Sequence, residues 1–328
     1  MFRPNRRAVL AGGAAVLAAA PSARANPTDF GTWLAELRRE AARQGISQRT
    51  IDGALTGVAP IARVLELDRR QPESTMTFAQ YRDRVINNDR VEQGRQRLAQ
   101  NRDLLGRVTE RYGVPARFIM ALWGMETSYG ANMGGFKIVD ALATLAYDGR
   151  RSQFFRSELL AALRILDQGH IAPERMLGSW AGAMGQSKFM PSSFLQYAVD
   201  FDGDGRRDIW TSQPDVFASA ANYLARNGWV RTGGWGLAVQ VPQEFDPAGN
   251  TGLDVRRPVS AWQGMGIRAP GGGGLPGGDT EASLVQPDGP RGDSFLAFEN
   301  FRVIMRWNRS VYFATSVGIL SDRIGSAG

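Results

Sequence analysis

The 328-residue chain has no cysteine and only one histidine, His170. Disulfides, thiolate metal sites and a lipidated N-terminal Cys are therefore excluded. With a single histidine, a Ser-His-Asp triad or a His-based zinc site is excluded as well. His170, bounded by Gly169 and Pro173, is expected at the surface. Lysine occurs only at Lys137 and Lys188; every other basic residue is Arg. Long apolar runs are missing too: the longest, Val9 to Ala20, falls short of the ~20 residues that span a bilayer. An integral membrane segment in the mature chain is thus not expected.

That short run belongs to a leader. Arg3, Arg6 and Arg7 precede it, and Ala23-Arg24-Ala25 follows as a small-x-small cleavage pattern, so residues 1–25 are expected to be a signal peptide. The Arg6-Arg7 pair points to the twin-arginine route and a periplasmic destination. Losing four arginines and no acid would lower the formal charge from +7 to +3. So mild an excess does not argue for nucleic acid, whereas it suits a wall polymer bearing carboxylates.

The rest reads as α+β and predominantly helical. Trp33, Leu34, Leu37 and Ala41 recur at helical spacing, Gly45 ends that segment, and Ser47 should cap a helix carrying Ile51 and Leu55. One longer helix is expected from Arg90 to Tyr112, with Val91, Leu98, Leu105, Val108 and Tyr112 inward. Pro115 suits a helix start, after which Ile119, Leu122, Trp123 and Glu126 share one face. Beyond Trp229 the period changes to two at Trp235, Leu237, Val239 and Val241, and Ser283–Gln286 and Phe295–Met305 read as further strands. Pro270–Gly278 is a glycine-rich connection, and 307–323 is helical again. The expected divisions are an N-terminal helical domain at 26–112, a core at 113–230, a small β-rich subdomain at 231–300, and a return to the core at 301–328.

Glu126 lies on an apolar face near a helix C-terminus. Desolvation and the negative end of the helix dipole both raise a carboxyl pKa, which favours a general acid. A helix-terminal Glu paired with an Arg would show the same spacing. Longer motifs are more specific. Glu126-Thr-Ser-Tyr-Gly and Asp140-Ala-Leu-Ala-Thr-Leu-Ala-Tyr147 are followed by Gly178-Ser-Trp-Ala-Gly-Ala-Met-Gly185 and Phe189-Met-Pro-Ser-Ser193. Tyr197-Ala-Val-Asp200, Ala221-Asn-Tyr-Leu224, Gly228-Trp229 and Arg306-Trp-Asn-Arg-Ser310 come next. In this order, across about 28–322, the blocks resemble the lytic murein transglycosylase B family.

The resemblance implies a lysozyme-like core and cleavage of the β-1,4 bond between N-acetylmuramic acid and N-acetylglucosamine in peptidoglycan glycan strands. It implies a 1,6-anhydromuramyl end, with Glu126 acting as acid and then as base and with no cofactor for catalysis. A muramidase-type hydrolase, which commonly uses two carboxylates, is one alternative; a weakly active glycan-binding scaffold of the wall is another. Carried over by position, the substrate contacts are Tyr81, Ser179, Lys188, Phe189, Tyr223, Trp307 and Asn308. Lys188 stands where the family usually has Gln, and near Glu126 it would favour the carboxylate. Trp307 stands where Tyr is common, losing a hydroxyl and keeping a stacking face.

Asp200, Asp202 and Asp204, followed by Gly205, match the start of an EF-hand loop, with the Arg206 carbonyl next. Thr211 fills the twelfth position, and the resemblance implies Asp215 as the last acidic ligand. A structural Ca2+ is the expected occupant; a metal-free turn rich in Asp is the alternative.

Overall fold

The computed structural model describes residues 29–69, 76–148 and 151–326. The expected leader lies outside them. The helices in chain order are α1 (Phe30–Arg43), α2 (Gln48–Leu55), α3 (Ala62–Arg69), α4 (Phe78–Val85), α5 (Asn88–Gln100), α6 (Arg102–Tyr112) and α7 (Ala116–Thr127). After them come α8 (Ile138–Tyr147), α9 (Ser152–Asp167), α10 (Pro191–Tyr197), α11 (Gln213–Arg226), α12 (Val259–Gly264), α13 (Glu299–Trp307) and α14 (Val311–Gly325). Strands β1 (Phe136–Lys137) and β2 (Leu177–Gly178) form a short antiparallel ladder. Strands β3 (Gly236–Val239), β4 (Arg257–Pro258), β5 (Glu281–Val285) and β6 (Ser294–Ala297) form an antiparallel sheet in the order β3-β6-β5-β4.

The local signals act as expected in the N-terminal part. Leu37 and Ala41 are buried on α1, and Gly45 ends the segment with φ 82°. Ser47 caps α2 by accepting from the Thr50 N–H, and Ile51 and Leu55 are buried. The single helix expected over 90–112 is instead two. Asn101 leaves helical geometry at φ −111°, and its amide donates to the Arg97 carbonyl at 2.9 Å. Asparagine competes with the helix backbone in this way, so the chain turns there.

Helix α7 is buried on every side over Phe118–Gly124, which fits a central helix rather than a surface one. Ile119, Met120, Ala121 and Leu122 are all at most 1% exposed, and α7 packs against α5, α6, α11 and α14. The four-stranded sheet separates two cores by strand alternation. Phe295, Ala297 and Val285 face the main core, whereas Leu296 and Leu284 face a smaller one with Val259, Trp262 and Ile267.

The strand expected over Phe295–Met305 ends at Ala297, and Glu299–Trp307 is helical. Phe301, Val303 and Met305 alternate as in a strand, whereas Phe301 and Ile304 recur at helical spacing; the joint burial of Phe301, Val303 and Ile304 against the main core selects the helix. Buried Asn300 ties the start of α13 to the preceding turn: it accepts from the Val230 N–H and donates to the Val230 and Gly233 carbonyls.

Candidate active site

Helix α7 delivers Glu126 one residue before its end. The next two residues, Ser128 and Tyr129, have φ of 50° and 59°, and Lys188 has φ 50°. These three are the non-glycine residues with positive φ among those described, and all lie around Glu126 in sequence or space. Such strain survives only where neighbours over-determine it. Here Thr127 donates to the Gln186 carbonyl at 3.0 Å, and the Tyr129 hydroxyl donates to the Arg90 carbonyl at 2.7 Å. Gln186 in turn accepts from the Trp123 indole and donates to the Trp210 carbonyl, each at 2.8 Å.

Glu126 Oε1 accepts a 2.8 Å hydrogen bond from the Trp307 indole N–H. Burial pushes the Glu126 pKa up from 4.5 to about 7, opposed by the Trp307 bond and the Lys188 charge. Behind the carboxyl is a void of only about 10 Å³, lined by Ile119, Trp123, Val216 and Phe217 among others. Its apolar back wall is the physical source of the desolvation. Among the described residues no second carboxylate contributes to that shift. Asp140 is half-buried at the start of α8, with its own pKa raised by burial.

The structure gathers most of the expected substrate residues around this carboxyl. Trp307, Tyr223 and Phe189 form an aromatic cluster, with ring centroids 4.8 Å (Tyr223–Trp307) and 5.2 Å (Phe189–Trp307) apart. Phe189 is only 3% exposed, so it backs the wall rather than offering an open face. Tyr223 donates its hydroxyl to the Arg306 carbonyl at 2.7 Å, which locks the end of α13. Tyr81, on α4, is close enough for Glu126 to raise its pKa, burial being the larger cause. Lys188 donates to the Met133 carbonyl at 2.6 Å and feels the Glu126 charge. Ser179 accepts from the Ala183 N–H at 3.0 Å, beside the Gly178–Met184 and Met184–Phe189 bridges that lead to Lys188. Asn308 is exposed just past Trp307 and accepts from the Ser310 N–H at 3.0 Å.

The acidic loop divides into two parts. Asp200, Asp202 and Asp204 are exposed, with ligand oxygens within 4.8 Å of one another. Asp204 also pairs with the Arg206 guanidinium at 2.7 Å. Asp215 is fully buried, and its oxygens accept from the Phe201 and Asp208 N–H groups at 2.7 Å each. Burial pushes its pKa up to about 6. His170 is half-buried, not superficial: its Nδ1 accepts from the Arg207 N–H at 3.1 Å and so braces the loop.

Residues 29–322 match the transglycosylase SLT domain family. The chain belongs to that family. It is 32% identical over 297 residues to the membrane-bound lytic murein transglycosylase B of Escherichia coli, covering 87% of this chain and 80% of the relative. A crystal structure of SltB3 from Pseudomonas aeruginosa in complex with NAG-NAM-pentapeptide is 46% identical, with a TM-score of 0.88 over 91% of this chain and 80% of that one. Soluble lytic transglycosylase SltB1 of the same organism is 31% identical, with a TM-score of 0.81 over 90% and 99% of the two chains. The predominantly helical, lysozyme-like fold expected from the sequence is that of the family.

Within this transglycosylase SLT chain, four supports of the site were not among the sequence candidates: Trp123, Thr127, Gln186 and Arg90. Arg90 donates to the Val85 carbonyl and, at 3.1 Å, to the Ser128 hydroxyl. Thr127 and Ser128 belong to the Glu126-Thr-Ser-Tyr-Gly motif, which is their signal in the sequence. Arg90 has none, since an Arg on an outer helical face reads as solvated surface.

Proposed function

We infer that the chain is a peptidoglycan lytic transglycosylase in which Glu126 serves first as acid and then as base. The carrying observation is one partly buried carboxyl with a pKa of about 7, fixed by Trp307, with no second carboxylate among the described residues acting on it. An indole can only donate, so Oε1 is engaged as acceptor and Oε2 is the oxygen that holds the proton. Oε2 delivers that proton to the glycosidic oxygen as the bond to muramyl C1 breaks. The resulting carboxylate then takes the proton of the muramyl 6-hydroxyl as O6 bonds to C1. The product is a 1,6-anhydromuramyl end, and no water is consumed. In support, a structure of the SltB3 relative is in complex with NAG-anhNAM-pentapeptide.

Tyr81, Ser179, Lys188, Tyr223, Trp307 and Asn308 make up the proposed glycan-binding wall, with Phe189 behind it. Aromatic faces suit the C–H surfaces of sugar rings, and the amide and hydroxyl groups suit N-acetyl and hydroxyl groups. The relatives are bacterial cell-wall enzymes, which supports an envelope location; the periplasm, reached by cleavage of the 1–25 leader, is the specific proposal. The proposed structural Ca2+ would be held by Asp200, Asp202, Asp204 and the Arg206 carbonyl. The clustered oxygens fit a hard cation. Asp215 is the proposed last acidic ligand, and its hydrogen bonds from the Phe201 and Asp208 N–H groups also shape the loop. The proposed domains are 26–112, 113–230, 231–300 and 301–328.

Mass spectrometry of products released from purified sacculi tests the reaction. Anhydromuramyl ends without new reducing ends are expected. Incorporation of ¹⁸O from labelled water at C1 would establish hydrolysis instead.

A further inference from the structure

Among the described residues, Lys188 is a cation beside Glu126 that has no anionic partner in the acid form of the site. Its amine is half-buried and hydrogen-bonded to the Met133 carbonyl, a neutral acceptor. An ammonium has three N–H groups, so donors remain for something else. The backbone holds the residue in place: φ is 50°, its N–H bonds to the Gly185 carbonyl at 3.3 Å, and the adjoining Phe189 is bridged to Met184. Among the described residues the one charged group that acts on Lys188 is Glu126. Protonated Glu126, the form that starts the reaction, is neutral and leaves that cation uncompensated.

The substrate class named above contains one anion that must come close. Cleavage occurs at C1 of the muramyl ring, and the same ring carries a lactyl ether on C3. When a peptide stem is attached, the lactyl carboxyl is an amide and carries no charge. When the stem has been removed, it is a free carboxylate. N-acetylglucosamine is neutral, and the carboxylates of a stem lie farther along the peptide.

We propose that Lys188 is a specificity determinant that pairs with the free lactyl carboxylate, so that this enzyme favours peptide-free glycan over stem-bearing glycan. The proposal rests on the transglycosylase reading of the same site. It also gives the enzyme a place in a sequence of reactions: hydrolysis of the amide between the lactyl group and the first stem residue supplies the preferred substrate. Discrimination of about tenfold in kcat/KM is expected, the size of one charge-assisted hydrogen bond. It should weaken as salt screens the pair.

The test compares the full chain on three glycan oligomers of equal length: peptide-free, peptide-free with the lactyl carboxyl converted to its carboxamide, and tetrapeptide-bearing. The wild type should cut the first about tenfold more efficiently than the second, and more efficiently than the third. In Lys188→Gln the first two should become equal, while Lys188→Arg should retain most of the preference. Equal wild-type rates on the carboxylate and carboxamide glycans overturn the proposal, as does a Lys188→Gln variant that slows both by one factor. If none of the three is cut, it is the transglycosylase reading that fails, so the two outcomes are distinguishable.

Discussion

Trp307 reaches across 181 positions of sequence to donate its indole N–H to Glu126 Oε1 at 2.8 Å. The side chain expected only to stack on a sugar therefore also orients the acid. It does so from the aromatic cluster with Phe189 and Tyr223, so wall and carboxyl are set by one residue.

Glu126→Gln should lower glycan cleavage by roughly 10²–10⁴-fold, because the amide keeps an acceptor for Trp307 but has no proton to deliver. The same change should stabilise the fold above neutral pH. With the folded pKa raised from 4.5 to about 7, the wild type loses stability as pH rises through that window, whereas Gln does not titrate. A gain of roughly 1–3 kcal/mol at pH 8, absent at pH 4, is expected in denaturant melts. Full activity in a folded Glu126→Gln protein would remove Glu126 from the mechanism.

The pH–rate profile should fall on its alkaline side near pH 7, where Glu126 ionises. Trp307 and Lys188 both favour the carboxylate, so Trp307→Phe and Lys188→Gln should each move that limb upward. Trp307→Phe should also lower the maximal rate by about tenfold, for loss of one hydrogen bond to an ionisable group. A limb that stays put in both variants would mean that a group other than Glu126 sets it.

Asp288, in the loop between β5 and β6, accepts from the Phe78 and Ala79 N–H groups at 2.5 and 3.1 Å, and from the Tyr312 hydroxyl at 3.2 Å. It thus anchors the start of α4, the helix that carries Tyr81, whose ring lies 5.8 Å from that of Tyr312. Asp288→Ala should cost about 1 kcal/mol of stability, the usual worth of a cap. It should also raise KM for glycan more than it lowers kcat. If KM is unaltered by Asp288→Ala but altered by Tyr81→Ala, the loop does not position Tyr81.

Calcium should raise the melting temperature and magnesium should do so less, since the smaller ion demands near-octahedral geometry. Binding only the folded state contributes about 2.7 kcal/mol at a hundredfold excess over Kd. Asp202→Asn with Asp204→Asn should abolish the response while leaving Glu126 chemistry intact. A melting temperature indifferent to millimolar calcium in the wild type would make the loop a metal-free turn.

Local signals were legible where the cause is local. Ser47 caps α2 because its hydroxyl reaches an N–H three residues on, and Glu126 lies on an apolar face because of helical spacing. The Glu126, Gly178 and Arg306 blocks carry the family resemblance in sequence alone. Two elements differ from the sequence expectation for a physical reason. Asn101 divides 90–112 through a bond to its own helix, and 299–307 carries a pattern compatible with either period.

The sequence by itself determined the chemistry available: one carboxyl on an apolar helix, two lysines in all, one histidine and no thiol. Tertiary structure alone decided what that carboxyl became. Its proton affinity depends on a dry wall from α7 and α11, an indole from the end of α13, and an amine placed by the Met184–Phe189 bridge. Those groups are far apart in the chain, and desolvation and Coulomb terms depend on distance through space rather than along sequence.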